Sequence, residues 1–570
     1  MAEEVWMLQT KKADFKQIGA RFRIDPVTAR IIRNRGIEGE AAIDRYLNGT
    51  LDDLYDPMLL KDMERAVSIL CEAVDTGKKI RIVGDYDIDG VCSTYILLQA
   101  FERLGSDVDF EIPDRIKDGY GINESIIEQA HADGVEVILT CDNGISAFHQ
   151  VELAKKYGMT VVITDHHEVP LDGEKEKIPP ADAVIDPKQA DCPYPFPEIC
   201  GAVVAYKLVQ VLYARRGVPQ MEWLDLLEFA AIATVGDVMK LQDENRILVK
   251  YGLKKMAQTK NLGLRRLADK NNLDLGAITA YHIGFVIGPC LNAGGRLKTA
   301  KEALALLRAQ SEEEAERLAE ELKELNDTRK DMTEQGTEAA KLQVESWYQK
   351  DKVLVVFLPE CHESLAGIIA GRLREYYQKP AIVLTRGEEA VKGSGRSIDE
   401  YHMFKKLTEV SDLLLKFGGH PLAAGLSLEE KNIDEFRRRL NENAGLTEED
   451  FKAKVWIDVP MPVGYVTERL VRELSCLEPF GQGNEKPLFA EKSLRIRASR
   501  VLGRNRNVVK MTLEETDGHA IEALYFGDGT AFEEERAGRR EIDVVYYPDI
   551  NEYNGRKTLQ AVIRRYKFRG

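Results

Sequence analysis

Carboxylates recur where apolar runs stop. Ile80-Arg81-Ile82-Val83 gives way to Gly84-Asp85-Tyr86-Asp87-Ile88-Asp89-Gly90, and the run at 135–140 gives way to Cys141-Asp142-Asn143-Gly144. Met159-Thr160-Val161-Val162-Ile163 leads into Thr164-Asp165-His166-His167-Glu168. A fourth acid, Asp237, follows the apolar stretch ending Ala233-Thr234-Val235-Gly236. Taken singly, an Asp after a strand serves as the N-cap of the next helix. Together these acids resist that account, because unpaired carboxylates brought close repel one another. Divalent cations remove the penalty. Oxygen ligands with one or two imidazoles suit Mn²⁺ or Mg²⁺ better than zinc, which favours more His or Cys. About six such ligands hold two ions through a shared carboxylate, and two ions roughly 3.5–4 Å apart clamp an in-line displacement at phosphorus. The chemistry to expect is metal-assisted phosphoester hydrolysis.

Something must carry these stretches to one place. Strand-like runs at 80–83, 107–112, 135–140, 159–163 and 183–186 alternate with helical patterns at 91–104, 124–132 and 147–157. The alternation predicts an α/β domain with a mostly parallel sheet. In such sheets ligands bind beyond the carboxyl ends of the strands, which is where the acids fall. Ser311 then offers an N-cap to Glu312-Glu313-Glu314, with Ala315, Leu318, Leu322 and Leu325 at helical spacing towards Trp347. So few apolar positions suit a connecting helix better than a coiled-coil strand.

A second α/β pattern follows, with strands at 353–358 and 381–384 around a helix at 367–376. Lys392-Gly393-Ser394-Gly395-Arg396-Ser397 and Gly418-Gly419-His420 read as two small flexible loops. They are either plain surface turns or loops that aim N–H groups and a guanidinium at a phosphate. Short strands at 455–459, 488–490, 493–501, 508–513, 521–526 and 542–547 predict a five-stranded OB barrel. Basic residues (Arg495, Arg497, Arg500, Arg504, Arg506, Lys510, then Arg556, Lys557, Arg564, Arg565, Lys567) run beside Tyr525, Phe526, Tyr546, Tyr547 and Tyr553. A basic groove with aromatic platforms holds single strands without sequence preference, although aromatics in strands are more often core.

In order, the Asp85/Asp87/Asp89, Asp142-Asn143, Asp165-His166-His167 and Gly236-Asp237 stretches resemble the four motifs of the DHH phosphoesterase superfamily. Gly288-Pro289-Cys290-Leu291-Asn292-Ala293-Gly294-Gly295-Arg296 and Gly418-Gly419-His420-Pro421-Leu422-Ala423-Ala424-Gly425 are similar to later motifs of its RecJ branch. The resemblance implies a DHH catalytic domain, a long connecting helix, a DHHA1 α/β domain and a C-terminal OB barrel. It implies Asp85, Asp87, Asp89, Asp142, His166 and Asp237 as ligands of two Mn²⁺ or Mg²⁺ ions, with Asp142 as the bridge. One of Asp85, Asp87 and Asp89 stands behind the ligand shell, and Asp165 orients His166. His167 contacts the scissile phosphate or assists proton transfer. Asn292, Arg296, Ser394, Arg396 and His420 bind substrate. Smaller members place a His ahead of the first Asp pair, where this chain has Val83 and Gly84 and Asp85 takes its part. The activity implied is a 5′→3′ exonuclease on single-stranded DNA releasing 5′-mononucleotides, in DNA repair and recombination. A single-strand-binding protein and a RecQ-type helicase are the implied partners. The alternatives are a phosphodiesterase on short oligonucleotides or cyclic dinucleotides, and a catalytically dead nucleic-acid-binding relative.

The expected division is 1–50 N-terminal helical segment, 51–305 catalytic, 306–350 connecting helix, 351–450 DHHA1 and 451–570 OB barrel. Composition adds bounds. The 570 residues carry a formal net charge of −16. That charge disfavours nucleic acid as a partner, unless the acids gather at metal while a basic groove lies elsewhere. There is no apolar run long enough for a membrane span, and the opening MAEEVWMLQTKKADFKQ lacks the apolar core of a secretory signal. Eight Cys without a C-x-x-C pair read as reduced thiols. A cytoplasmic monomer is expected. The resemblance also implies that the chain stops short of a further C-terminal domain carried by some relatives.

Overall fold

Ile80–Val83 (β1) is buried at all four positions, as a strand covered on both faces must be. It lies between Val108–Glu111 (β2) and Val137–Cys141 (β3), with Thr160–Thr164 (β4) and Ala183–Ile185 (β5) beyond, in one parallel sheet of order β2-β1-β3-β4-β5. The order reverses at β1. The chain enters Ile88–Arg103 (α1) directly from β1, and α1 packs against Gly201–Arg215 (α2) and Leu227–Gly236 (α3). Both helices are apolar almost all round, which suits elements with no free face.

The computed structural model describes residues 4–553 and 555–569. The described residues divide into two units, one formed chiefly by Tyr55–Met239 and Tyr251–Ala453, the other by Val5–Leu54, Lys240–Lys250 and the described residues from Lys454 on. In the first unit Gly288–Leu297 (α4) precedes the connecting helix Glu312–Gln343 (α5), whose Ser311 side chain accepts from the Glu314 N–H. The second sheet of that unit has the order β9-β10-β8-β7-β6, with Leu354–Phe357 (β6), Ala381–Arg386 (β7), Val391–Arg396 (β8), Leu414–Gly419 (β9) and Ala423–Leu428 (β10). Only the β6–β7 pair is parallel. Glu363–Tyr377 (α6) covers β7 and β8.

Here the structure corrects two readings. Residues 392–396, read as a flexible loop, are the strand β8, paired on both edges. Their glycines serve packing: a Cβ on Gly393 would come within 2.6 Å of the Leu384 side chain. Gly418 and Gly419 likewise end strand β9, and His420 turns the chain into β10.

The second unit is a closed OB barrel. Its strands run Phe489–Leu502, Val508–Glu514, Ala520–Phe526, Arg556–Arg569 and Glu541–Tyr553, and the last pairs back to the first. The 14-residue strand Arg556–Arg569 was read only as a basic cluster, because charged ends mask its buried Ala561, Val562 and Ile563. Residues 1–50, set apart as a helical segment, carry a strand at Glu4–Leu8 as well as helices, and Ile31, Ile32, Ile43 and Tyr46 join the barrel's own core. The insert 240–250 belongs there too. Buried Arg246 donates to the carbonyls of Tyr46 (3.0 Å), Leu477 (2.8 Å) and Cys476 (2.8 Å). Among the described residues, no helix is long and apolar enough to cross a membrane.

Candidate metal centre and phosphate cavity

In a sheet of order 2-1-3-4-5 ligands bind where the strand order reverses, between the first and third strands. Asp85 and Asp87 follow β1, and Asp142 follows β3. Three ligand atoms from Asp85, Asp87 and Asp142 lie within 4.8 Å of one another, and so do three from Asp89, His166 and Asp237. His166 Nε2 joins the two groups, 3.1 Å from Asp142 Oδ1, 3.4 Å from Asp89 Oδ2 and 3.8 Å from Asp237 Oδ2.

Backbone N–H groups hold three of the carboxylates from behind, those of Asp85, Asp87 and Asp89. Gly121 N–H donates to Asp85 Oδ1 (3.2 Å). Asp87 is the N-cap of α1 and accepts from the N–H groups of Asp89 (2.9 Å) and Gly90 (3.2 Å), so the N-cap account of an Asp after a strand holds for this one as well. Asp89 accepts from Gly201 N–H (2.7 Å) and Ala202 N–H (2.8 Å), at the N-terminus of α2, where the helix dipole favours negative charge. Asp142 has φ +61°, which Asp tolerates better than most residues. Gly201 must be glycine here, since a Cβ would fall 2.7 Å from the Asp142 Cβ. Asp237 caps α3, and Val238 at φ +58° turns the chain at once, its N–H returning to Val235 O (3.2 Å).

The electrostatics say what such a cluster of acids requires. Burial, then the charge of Asp87, pushes Asp85 up to about 8. Burial, then Asp89 and Asp87, pushes Asp237 to about 8 as well. Asp142 is raised well above the carboxylate range by burial and then Asp89. Burial also lowers His166, against the opposing pull of Asp89, and its buried Nδ1 has no hydrogen-bond partner among the described residues. Acids that cannot all be charged alone, gathered around an imidazole, are the donor set of a hard or borderline divalent cation. These residues fit two such ions, with Asp142 and His166 at the junction.

Asp165 has a different role from the one expected. It takes the His166 backbone N–H (2.8 Å), but its side-chain partner is the ring of His167, with Oδ1 2.7 Å from Nδ1. Burial opposes protonation of His167, yet the Asp165 hydrogen bond and charge overcome it and raise the imidazole to about 9. The half-exposed Tyr120 donates its O–H to the Asp142 carbonyl (2.8 Å), and the same oxygen lies 3.0 Å from His167 Nδ1.

Beyond the acids lies a cavity of about 730 Å³ walled by both sheets' loops and helices. Arg115, Arg296, Arg372, Ser394 and Arg396 line it. None of these guanidinium groups has a carboxylate partner among the described residues. Arg296 donates to Ser364 O (2.9 Å) and Arg396 to Ser394 Oγ (3.1 Å). Burial, then the charges of Arg115 and Arg329, draws Arg296 down to about 10. Gly367 lets α6 approach, since a Cβ there would meet Ser394 Oγ at 2.8 Å. A smaller adjoining cavity of about 110 Å³ holds Asn292, Arg296 and Arg329. His420 lines neither. It acts on Glu168, whose carboxyl is held below its usual range first by Lys188 and more weakly by His420. The sequence reading gave no role to Arg115 and Tyr120, which share the loop between β2 and the helix at Glu124–Ala132, to Arg329 of α5 or to Arg372 of α6.

The chain is 36% identical over 564 residues to the single-stranded-DNA-specific exonuclease RecJ of Bacillus subtilis, covering 98% of this chain and 70% of that one. With the protein of the same name from Escherichia coli the identity is 34% over 563 residues, covering 95% of each. This chain belongs to the RecJ family. Family profiles match the DHH family N-terminal domain at residues 79–234, the DHHA1 domain at 350–445 and the RecJ OB domain at 457–565. The crystal structure of RecJ in complex with Mn²⁺ from Thermus thermophilus superimposes with a TM-score of 0.84 at 28% identity, over 99% of this chain and 80% of that one. The Mg²⁺ complex from the same organism gives 0.78 at 27% identity, over 99% and 78%.

Within the RecJ OB domain the expected basic surface is partly neutralised. Arg497 pairs with Glu514 (2.6 Å) and Lys510 with Glu522 (2.9 Å), whereas Arg500 and Arg504 have no acidic partner among the described residues. Tyr546 is core, its O–H donating to Met461 O (2.8 Å), and Tyr525 packs on Phe532 and Tyr566. Phe526 is exposed, and Lys486 covers Tyr547. The side chains of Tyr553 and Arg556 lie outside the described residues.

Proposed function

We propose that this chain is a single-strand-specific DNA exonuclease that enters at the 5′ end and releases 5′-mononucleotides. The observation that carries the reading is the cavity beside the two ligand groups, lined by arginines that have no ion-pair partner among the described residues even though Glu363 and Glu375 share its wall. A guanidinium without a carboxylate suits a phosphate. A terminal 5′-phosphate among Arg115, Ser394 and Arg396 brings the first phosphodiester to Asp142 and His167, with Arg296 and Asn292 on its non-bridging oxygens. Holding the strand by its terminal phosphate makes the hydrolysis exonucleolytic.

Asp85, Asp87, Asp89, Asp142, His166 and Asp237 would hold two Mn²⁺ or Mg²⁺ ions. When bound, the ions lower the pKa of water and neutralise charge on the phosphoryl group and the leaving oxygen. The protein's own groups do the positioning. Asp165 fixes the His167 ring towards the phosphate, and Tyr120 keeps that ring and the Asp142 backbone in register. His420 approaches from the Glu168 side. The 3′ oxygen of the terminal nucleotide is the leaving group. A single-strand-binding protein and a RecQ-type helicase are the partners such an enzyme needs to meet a single strand within a duplex genome. Its place is in repair and recombination.

Digestion of a single strand, labelled at its 5′ or 3′ end, and of the matching duplex tests this. With Mn²⁺ the 5′ label should leave first as a mononucleotide, the duplex should resist, and a chelator should stop the reaction. Release of the 3′ label first would contradict the polarity. Cleavage confined to dinucleotides would support the short-substrate phosphodiesterase instead, and no metal-dependent turnover the dead relative.

A further inference from the structure

Two large aromatic rings lie in the open a short way along the helix that lines the site. Tyr281 is 63% exposed and Phe285 67% exposed. Their rings are stacked, with centroids 4.8 Å apart and planes 28° from parallel. A scattered exposed hydrophobic residue needs no explanation, but two rings prearranged face to face invite a flat partner. They belong to Ala280–His282 and to the π-helical turn Ile283–Ile287, which runs straight into α4. Such turns are rare and cluster at functional sites.

The pair is continuous with the cavities. Steps of four lead from Tyr281 to Phe285 to Pro289, and Pro289 lines the smaller cavity with Asn292, Arg296 and Arg329. Gly284 and Gly288 line it also. At Gly284 a Cβ would meet only Val235, at 3.7 Å, so the ground beside the rings is open. From Phe285 to Arg296 the helix climbs about 16 Å at its ordinary rise, the span of a few nucleotides. The row therefore passes from an aromatic surface to cations without carboxylate partners, surfaces that suit respectively the bases and the phosphates of one strand.

We propose that Tyr281 and Phe285 form a base-stacking platform for the part of the strand trailing out of the cavity, on the 3′ side of the bond being cut. This rests on the function proposed above and adds a determinant of substrate length to it. Stacking is indifferent to sequence because every base has a π face, and each base held by a ring contributes about 1–3 kcal/mol. A duplex offers no splayed bases to the rings, so the platform also favours single strands.

The test compares a Tyr281→Ala/Phe285→Ala double variant with the intact protein on a 5′-phosphorylated dinucleotide and a 20-nucleotide single strand, both with Mn²⁺. The KM for the long strand should rise about tenfold or more, as loss of stacking on the order of 1–3 kcal/mol requires, with kcat unchanged. Both constants should stay the same on the dinucleotide, which cannot reach the rings. Tyr281→Trp/Phe285→Trp should restore the long-strand KM. An unchanged long-strand KM overturns the platform, as does equal loss on both substrates without rescue by Trp. If the intact protein cuts neither substrate, the proposed function fails instead of the platform.

Discussion

Asp142→Ala will remove strand cleavage, by more than the roughly 10²–10³-fold typical of losing one well-placed electrostatic group, while single-strand binding stays within a few-fold of the parent. The size of the loss follows from position. Asp142 groups with Asp85 and Asp87 on one side and with His166 on the other, so its removal opens both halves of the centre at once. Binding survives because the OB unit has its own core and its own basic strands. The left-handed backbone at Asp142 costs an Ala about 1–2 kcal/mol, so Asp142→Asn, which tolerates that conformation, belongs beside it. Both variants should show the same lost turnover in a labelled-strand assay. A large loss of affinity in both would contradict the separation of binding from chemistry.

Arg396→Ala will weaken cleavage of 5′-phosphorylated strands about 10- to 100-fold in kcat/KM, the equivalent of a charge-assisted hydrogen bond worth about 1.5–3 kcal/mol. Strands ending in a 5′-hydroxyl should change little. Arg396 is partly buried on β8, and its guanidinium is tethered to Ser394 Oγ and the Gly395 carbonyl. Burial, then the charge of Arg374, lowers its pKa, as expected of a cation awaiting an anion. Equal loss on both kinds of end would mean that Arg396 does not read the terminal phosphate.

The site was legible where chemistry is local to a strand end. Runs such as 80–83 and 159–163 are so largely apolar that both their strand character and the meaning of the acids after them can be read directly, although the burial of Arg81, paired with Asp109 and Asp133, cannot. Ser311 announced the long helix by its side chain and the three Glu that follow. Convergence between distant segments was not legible. Nothing around Arg115 says that it lies over the Tyr86 ring at 3.9 Å, or that Arg372 of α6 shares its cavity. Glycine misled in the other direction, because in β8 it relieves crowding between strands and does not mark a turn. Asp165 was assigned the wrong histidine because adjacent residues on an extended chain point to opposite sides, and only the fold decides which ring returns.

The central claim is that acids and an imidazole from separate strands and helices converge to hold a pair of divalent ions. Anomalous scattering from Mn²⁺-soaked crystals of this protein tests it most directly. Two peaks are predicted, one against Asp85, Asp87 and Asp142 and the other against Asp89, His166 and Asp237, both within reach of Asp142. A single peak elsewhere, or none at manganese concentrations that saturate activity, would contradict the account.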